Sequence, residues 1–146
     1  MNSSIRPARP ADLDAVCAIA QDAPLAGHWS RAQYESEIGS GLGLFAVLEE
    51  DETLGFFILR RVEAEAQLVD IAVRSRDRGR GLGRDLLAAA VAGARSWSSS
   101  KMTLEVSAAN EPALRLYRAA GFRIVGRRPK FYNDRSDAIL MDLLLA

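Results

Sequence analysis

Apolar positions along the chain switch several times between a helical period and short runs of alternating or continuous β-formers. Residues 5–8 predict a short first strand, and Pro10 then opens a helix with Leu13, Val16, Cys17 and Ala20 on one face, closed by Pro24. Ser30 is placed to cap a second helix over residues 31–38, ended by Gly39 and Gly41. Residues 44–48 and 54–62 are apolar and β-rich and flank the acidic run Glu49-Glu50-Asp51-Glu52, the pattern of a hairpin with a solvated turn. Another strand is predicted over residues 67–73. An Arg/Gly segment follows it and leads into a helix with Leu86, Leu87, Ala90, Val91 and Ala94 on one face. Residues 102–107 read as a strand, Asn110 caps a helix that reaches Ala120, and Gly121 stops it. Strands over residues 122–126 and 138–145 complete the series. No repeat or linker interrupts it, so the expectation is a single domain over residues 1–146. Its class is mixed α/β, one central sheet of about six to seven strands flanked by about four helices.

Composition narrows the function classes. With 146 residues, 49% of them hydrophobic, the chain can bury one core without staples. Its 19 basic and 19 acidic side chains cancel, which argues against a nucleic-acid partner, since such proteins usually carry a basic excess. The apolar runs fall far short of the roughly 20 residues that cross a bilayer, so no membrane partner is expected. The first residues lack the basic-then-apolar order of a signal peptide, and a cytoplasmic location is expected. A lone Cys17 can build no internal disulfide and reads as a buried structural residue, while a single histidine, His28, leaves no basis for a metal site. The charge is unevenly spread, however. Arg74, Arg76, Arg78, Arg80 and Arg84 lie within eleven residues that hold one acid, Asp77. That concentration predicts a local anion site.

The candidate chemistry starts in that segment. Gly79, Gly81 and Gly83 fall within five positions between a strand and a helix start, where they cost backbone entropy and let a ligand approach the main chain closely. Amides at the following helix N-terminus, its dipole and the flanking arginines suit a phosphate or pyrophosphate. The nucleoside-triphosphate loop is excluded because no Lys follows these glycines. The dinucleotide fingerprint misses its third glycine, which would fall on Arg84 or Leu86, but Glu105, 22 residues after Gly83, could serve as its acid and keeps that enzyme class open as a rival. Glu105 is the one charge in residues 102–107, and an ionisable group inside a central strand needs either a partner, such as one of the many arginines, or a chemical task. Tyr117 shares a helical face with Ala113, Leu114 and Ala120, which fits a core aromatic as well as a hydroxyl donor. Trp29, Phe131 and Tyr132 lie near loops, where they can pack or line a peptide groove.

The order Arg78, Gly81, Gly83 after a strand and before a helix resembles the Arg/Gln-x-x-Gly-x-Gly motif of the GNAT N-acetyltransferases. The likeness extends over nearly the whole chain. It takes in Ile5-Arg6-Pro7-Ala8 with Asp12-Leu13-Asp14, Leu104-Glu105-Val106 with Asn110, and Ala113, Leu114, Leu116, Tyr117 and Gly121-Phe122. Gly27-His28-Trp29-Ser30 and the stretch Arg128-Pro129-Lys130-Phe131-Tyr132 with Asp137-Ala138-Ile139-Leu140-Met141 resemble the RimI-type ribosomal-protein-alanine branch. Phe131 stands where that branch often has a tyrosine. The resemblance implies acetyl-CoA as cosubstrate and no metal. Main-chain groups of Ile71, Ala72 and Val73 would hold its pantetheine arm, amides of Gly79, Arg80, Gly81, Leu82, Gly83 and Arg84 its pyrophosphate, and Asn110 a further contact. It also implies Glu105 as general base and Tyr117 as general acid. The acceptor it implies is a protein or peptide N-terminal amine, such as that of a ribosomal protein, beside Trp29 and Tyr132. An α-amine with a pKa of about 7.7 to 8.0 is easier to deprotonate than a Lys side chain at about 10.4. A small-molecule amine or Lys side chain as acceptor, and a non-catalytic acyl-CoA-binding module, stay open as alternatives. Neither Cys17 nor Ser98-Ser99-Ser100 is placed as a nucleophile, so direct attack on the acyl group is expected.

Overall fold

The computed structural model describes residues 3–23 and 29–145. Its elements run β1 Ser4–Pro7, α1 Leu13–Gln21, α2 Arg31–Ile38, β2 Gly43–Glu49, β3 Thr53–Val62, β4 Glu65–Val73, α3 Leu82–Ser96, β5 Lys101–Ser107, α4 Glu111–Ala119, β6 Arg123–Arg128 and β7 Ala138–Leu144. The seven strands form one sheet in the order β1-β2-β3-β4-β5-β7-β6, antiparallel except for β4 and β5. Class, strand number and helix number agree with the sequence expectation. The helix opened by Pro10 begins as one 3-10 turn, Pro10–Asp12, before α1, and Pro24 lies outside the described residues. Ser30 caps α2 through a reciprocal pair with Gln33.

Helices cover both faces, which is why β2 and β3 read as nearly unbroken apolar runs. Leu48, Phe57, Leu59, Met102 and Leu104 face α3 and α4, with Leu86, Ala90 and Tyr117 packed over them. Val47, Phe56 and Ile58 face α1, with Val16, Ile19 and the fully buried Tyr34. Cys17 is half-buried at the rim of this second cluster rather than fully enclosed.

Three backbone features shape the middle and margins of the sheet. β4 carries one extra residue against β3, because Ile58 pairs with Asp70 and Leu59 with Leu68, leaving Val69 as a bulge. β4 and β5 are in register only at Ala66 with Met102 and Gln67 with Thr103, and diverge beyond them. At the margins, β1 is four residues long and ends in proline, while β6 holds Arg123, Arg127 and Arg128 and is irregular between Ile124 and Gly126.

Gly55 lies on β3 where α3 comes down on the sheet. A Cβ there would stand 2.8 Å from the Ala72 carbonyl oxygen and 2.9 Å from Leu86 Cδ1. Gly55→Ala is expected to lower stability by about 1 to 3 kcal/mol through overpacking. A lower denaturant midpoint at unchanged m value would show it.

Candidate active site

Where β4 and β5 part, the sheet opens into a cleft of about 740 Å³. Its walls are the exits of the two strands, the glycine loop, the first turns of α3 and α4, and the segment carrying Phe131 and Tyr132. β4 is bonded to β3 on its other side, with Ile71, Ala72 and Val73 opposite Phe57, Phe56 and Gly55. Its edge toward the cleft lacks a strand partner on β5 beyond Gln67.

Gly79 and Gly81 both take positive φ, 83° and 81°, which an L side chain rarely adopts. Gly81 is the N-cap of α3, and the Asp85 amide makes the first bond back to it, at 3.1 Å. The amides of Leu82, Gly83 and Arg84 therefore have no intrahelical acceptor, and these residues line the cleft. The arginines divide in two groups. Arg74 bonds Glu52 at 2.8 Å and Asp77 at 2.6 Å, and Arg80 bonds Glu50 at 2.7 Å and Asp77 at 2.8 Å. The side chain of Arg80 is thus committed to carboxylates, and the acidic turn expected to be merely solvated clamps the basic loop. Hydrogen bonds from Arg74 hold the Asp77 and Glu52 carboxyls below their ordinary range. Arg78 and Arg84 remain at the cleft. Arg78 donates to the Val73 carbonyl at 3.2 Å, so this oxygen already has a partner, and the Arg84 guanidinium folds over Gly81.

The two predicted catalytic side chains reach the cleft from opposite faces of the sheet. On β5, Met102, Leu104 and Val106 point into the α3/α4 core, so Glu105 points to the α1/α2 face. Its side chain is 34% exposed and lies 3.5 Å from Arg128, a long, partly solvated pair that leaves Glu105 open to the cleft. Tyr117 comes from α4 on the other face, buried against Phe122 at a ring distance of 5.7 Å. Burial, then the charge of Asp70, then Tyr132 push its phenol above the usual range. Tyr132 also lines the cleft, its phenol raised by burial and next by Glu105. Asn110 Oδ1 accepts the Ala113 amide at 3.3 Å as the cap of α4, and the residue borders the cleft. Trp29 is placed elsewhere, 5.4 Å from the Tyr34 ring and under the Arg60 guanidinium at 5.2 Å. Gly27 and His28 lie outside the described residues.

Asp70 is the cleft residue that sequence reasoning passed over. It lines the cleft and accepts a hydrogen bond from the Tyr34 hydroxyl at 3.1 Å. The signal was the same as for Glu105, a lone charge inside an apolar strand, Gln67-Leu68-Val69-Asp70-Ile71-Ala72-Val73. Among the described residues, no group of three or more His, Cys, Asp or Glu side chains is arranged to hold a metal ion.

These parts suit a long ligand with an anionic end: amides for a pyrophosphate, a strand edge for an amide-bearing arm, and paired polar groups where the arm would end. Comparison with known proteins agrees. The chain is 33% identical over 135 residues to the [ribosomal protein bS18]-alanine N-acetyltransferase of Escherichia coli, covering 90% of each chain. The crystal structure of the ribosomal-protein-S18-alanine N-acetyltransferase from Escherichia coli matches with a TM-score of 0.89 and 30% identity, over 99% of this chain and 95% of that one. The protein yncA from Salmonella typhimurium, solved with its cofactor acetyl-CoA, shares the fold at a TM-score of 0.84 and 24% identity, over 100% and 95% of the two chains. Residues 13–122 match the model of the acetyltransferase (GNAT) family, and with that match the chain belongs to the GNAT family and is an N-acetyltransferase.

Proposed function

We propose that the chain transfers acetyl from acetyl-CoA to the α-amine of a protein N-terminus, of the ribosomal-protein-alanine kind. The observation that carries this reading is the placement of Glu105 and Tyr117 on opposite faces of one opening through the sheet. The Escherichia coli relative, named for the same acceptor class, supports the choice of amine. A cytoplasmic setting goes with such an acceptor, and no helix among the described residues is long and apolar enough to cross a membrane.

Acetyl-CoA supplies an activated acyl group that an amine can attack directly, with a thiolate as leaving group that takes up a proton released by the attacking nitrogen. The amides of Leu82, Gly83 and Arg84 hold the pyrophosphate, joined by those of Gly79, Arg80 and Gly81, and the β4 edge at Ile71, Ala72 and Val73 holds the pantetheine arm as an added strand would. Asn110 contacts the same arm from α4. An amide near Val73 polarises the acyl carbonyl. Glu105 accepts the proton the amine gives up, through one water. Preparing an α-amine for this costs about 3 kcal/mol less than preparing a Lys side chain, from their reference pKa values. Tyr117 keeps its own proton, because its phenol is raised above an already weaker acidity than a thiol's, and hydrogen-bonds the sulfur as charge develops there. Tyr132, near Glu105, borders the incoming peptide, and Trp29 supports that side through Tyr34.

Three outcomes are expected. Purified protein given acetyl-CoA should release free thiol with an Ala-initiated hexapeptide, and not with spermidine or a Lys peptide blocked at its N-terminus. Release with the latter acceptors alone would overturn the N-terminal assignment. Glu105→Gln should lower kcat/KM by about 10² to 10⁴ while acetyl-CoA still binds, and Tyr117→Phe should lower kcat by about 10². The third concerns alkaline pH. The phenols of Tyr34, Tyr117 and Tyr132, all the tyrosines of the chain, are raised by burial. Their neutral forms therefore stabilise the fold fully below the unfolded value of about pH 10, and the contribution is lost as pH climbs through the higher folded values. Phenolate absorbance at pH 10 should be largely absent from the native protein and appear on unfolding.

A further inference from the structure

We infer that Asp70 is a second carboxylate of the acceptor site, which binds the acceptor amine as its ammonium beside Glu105 and so selects for a free, cationic amine. The inference deepens the proposed function and rests on that reading for its acceptor.

Three placements support it. The bulge at Val69 sets Asp70 opposite Ile58, whose side chain belongs to the α1/α2 core, so Asp70 points to that face. Glu105 points to the same face from β5. The two residues belong to adjacent strands that separate just before them, and both line the cleft. Finally, the Tyr34 hydroxyl fixes one Asp70 oxygen at 3.1 Å, and Tyr34 is itself immobilised by Phe45, Phe56 and Trp29 at ring distances of 6.2, 5.8 and 5.4 Å.

A buried tyrosine hydroxyl needs an acceptor, which an asparagine oxygen supplies without the cost of holding a charge in a partly buried position. A carboxylate at the cleft adds what a neutral acceptor lacks, attraction for a cation. An α-amine near neutral pH arrives mostly protonated. Asp70 would receive it as an N–H donor, Glu105 would take one proton and release it to solvent, the neutral amine would keep an N–H on Asp70 while its lone pair attacks, and the proton the nitrogen loses after attack would pass to the departing thiolate. The two carboxylates thereby divide binding and deprotonation between them.

The test is Asp70→Asn, which preserves an acceptor for Tyr34 and removes the charge. KM for the Ala-initiated peptide should rise by about tenfold or more, with kcat within about threefold and KM for acetyl-CoA unchanged, the size expected for losing a hydrogen bond to a charged group. Asp70→Glu, which returns the charge, should recover most of the KM effect. Calorimetric binding to the CoA-loaded protein gives a readout free of turnover: wild type should prefer the free-amine peptide over its N-acetylated form, and Asp70→Asn should lose the preference. A wild-type KM in Asp70→Asn, an equal rise in KM for acetyl-CoA, or no preference for the free amine in wild type would overturn the inference. If wild type acetylates only spermidine or the Lys peptide, the N-terminal reading fails by itself, and the KM comparison with that amine decides for Asp70.

Discussion

Everything in the site depends on two parallel strands that stay paired for two residues and then part. A strand inside a sheet carries hydrogen-bonding groups on both edges, and leaving one edge without a strand neighbour is costly unless something else bonds there. β4 keeps that condition beyond Gln67, where its edge faces the cleft. The helices that follow β4 and β5 both begin at the same mouth, so two helix N-termini converge on the gap. Extended backbone, free amides and helix dipoles are thus assembled by topology, before any side chain is considered. The side chains then divide by face: Tyr117 arrives through the α3/α4 core, while Glu105 and Asp70 look toward α1 and α2.

Much of this was legible in the sequence, for definite reasons. Helix caps such as Ser30 and Asn110 are local hydrogen bonds between residues three apart, so their spacing displays them. The glycine loop is visible because Gly79 and Gly81 need left-handed backbone. Glu105 stood out as a charge among β-formers, and Tyr117 through its place in a helix after a cap. What stayed hidden depends on contacts between distant residues. Arg80 and Glu50 are thirty residues apart, and nothing in either segment announces that they pair. The divergence of β4 from β5 leaves no mark on hydrophobic period, since each strand alone looks regular. Asp70 was masked by the bulge, which turns Val69 and Asp70 toward one face where strict alternation would oppose them. Trp29 had two readings from sequence, packing or a groove, and only the fold shows its neighbours to be Tyr34 and Arg60.

The arginine-rich segment gains a different meaning from its partners. Arg74 and Arg80 converge on Asp77, a buried carboxylate, and reach across to Glu52 and Glu50 on the β2–β3 turn. Five charges from two loops form one network, which restrains the glycine loop more than any isolated surface pair could. The loop thus combines residues chosen for backbone freedom with a brace that limits it. Less ordering then remains for a ligand to impose on binding.

The margins of the sheet carry a consequence for how the protein survives at high concentration. A sheet with open rims runs the risk of pairing there, where copies could zip together into fibres or precipitates. β1 is too short and proline-ended to template much, and β6 presents three arginines and an irregular ladder. Both outer edges are poor docking rails for neighbours, so the strand edge left without a β5 partner lies indoors, where only something slim enough to enter the gap can reach it.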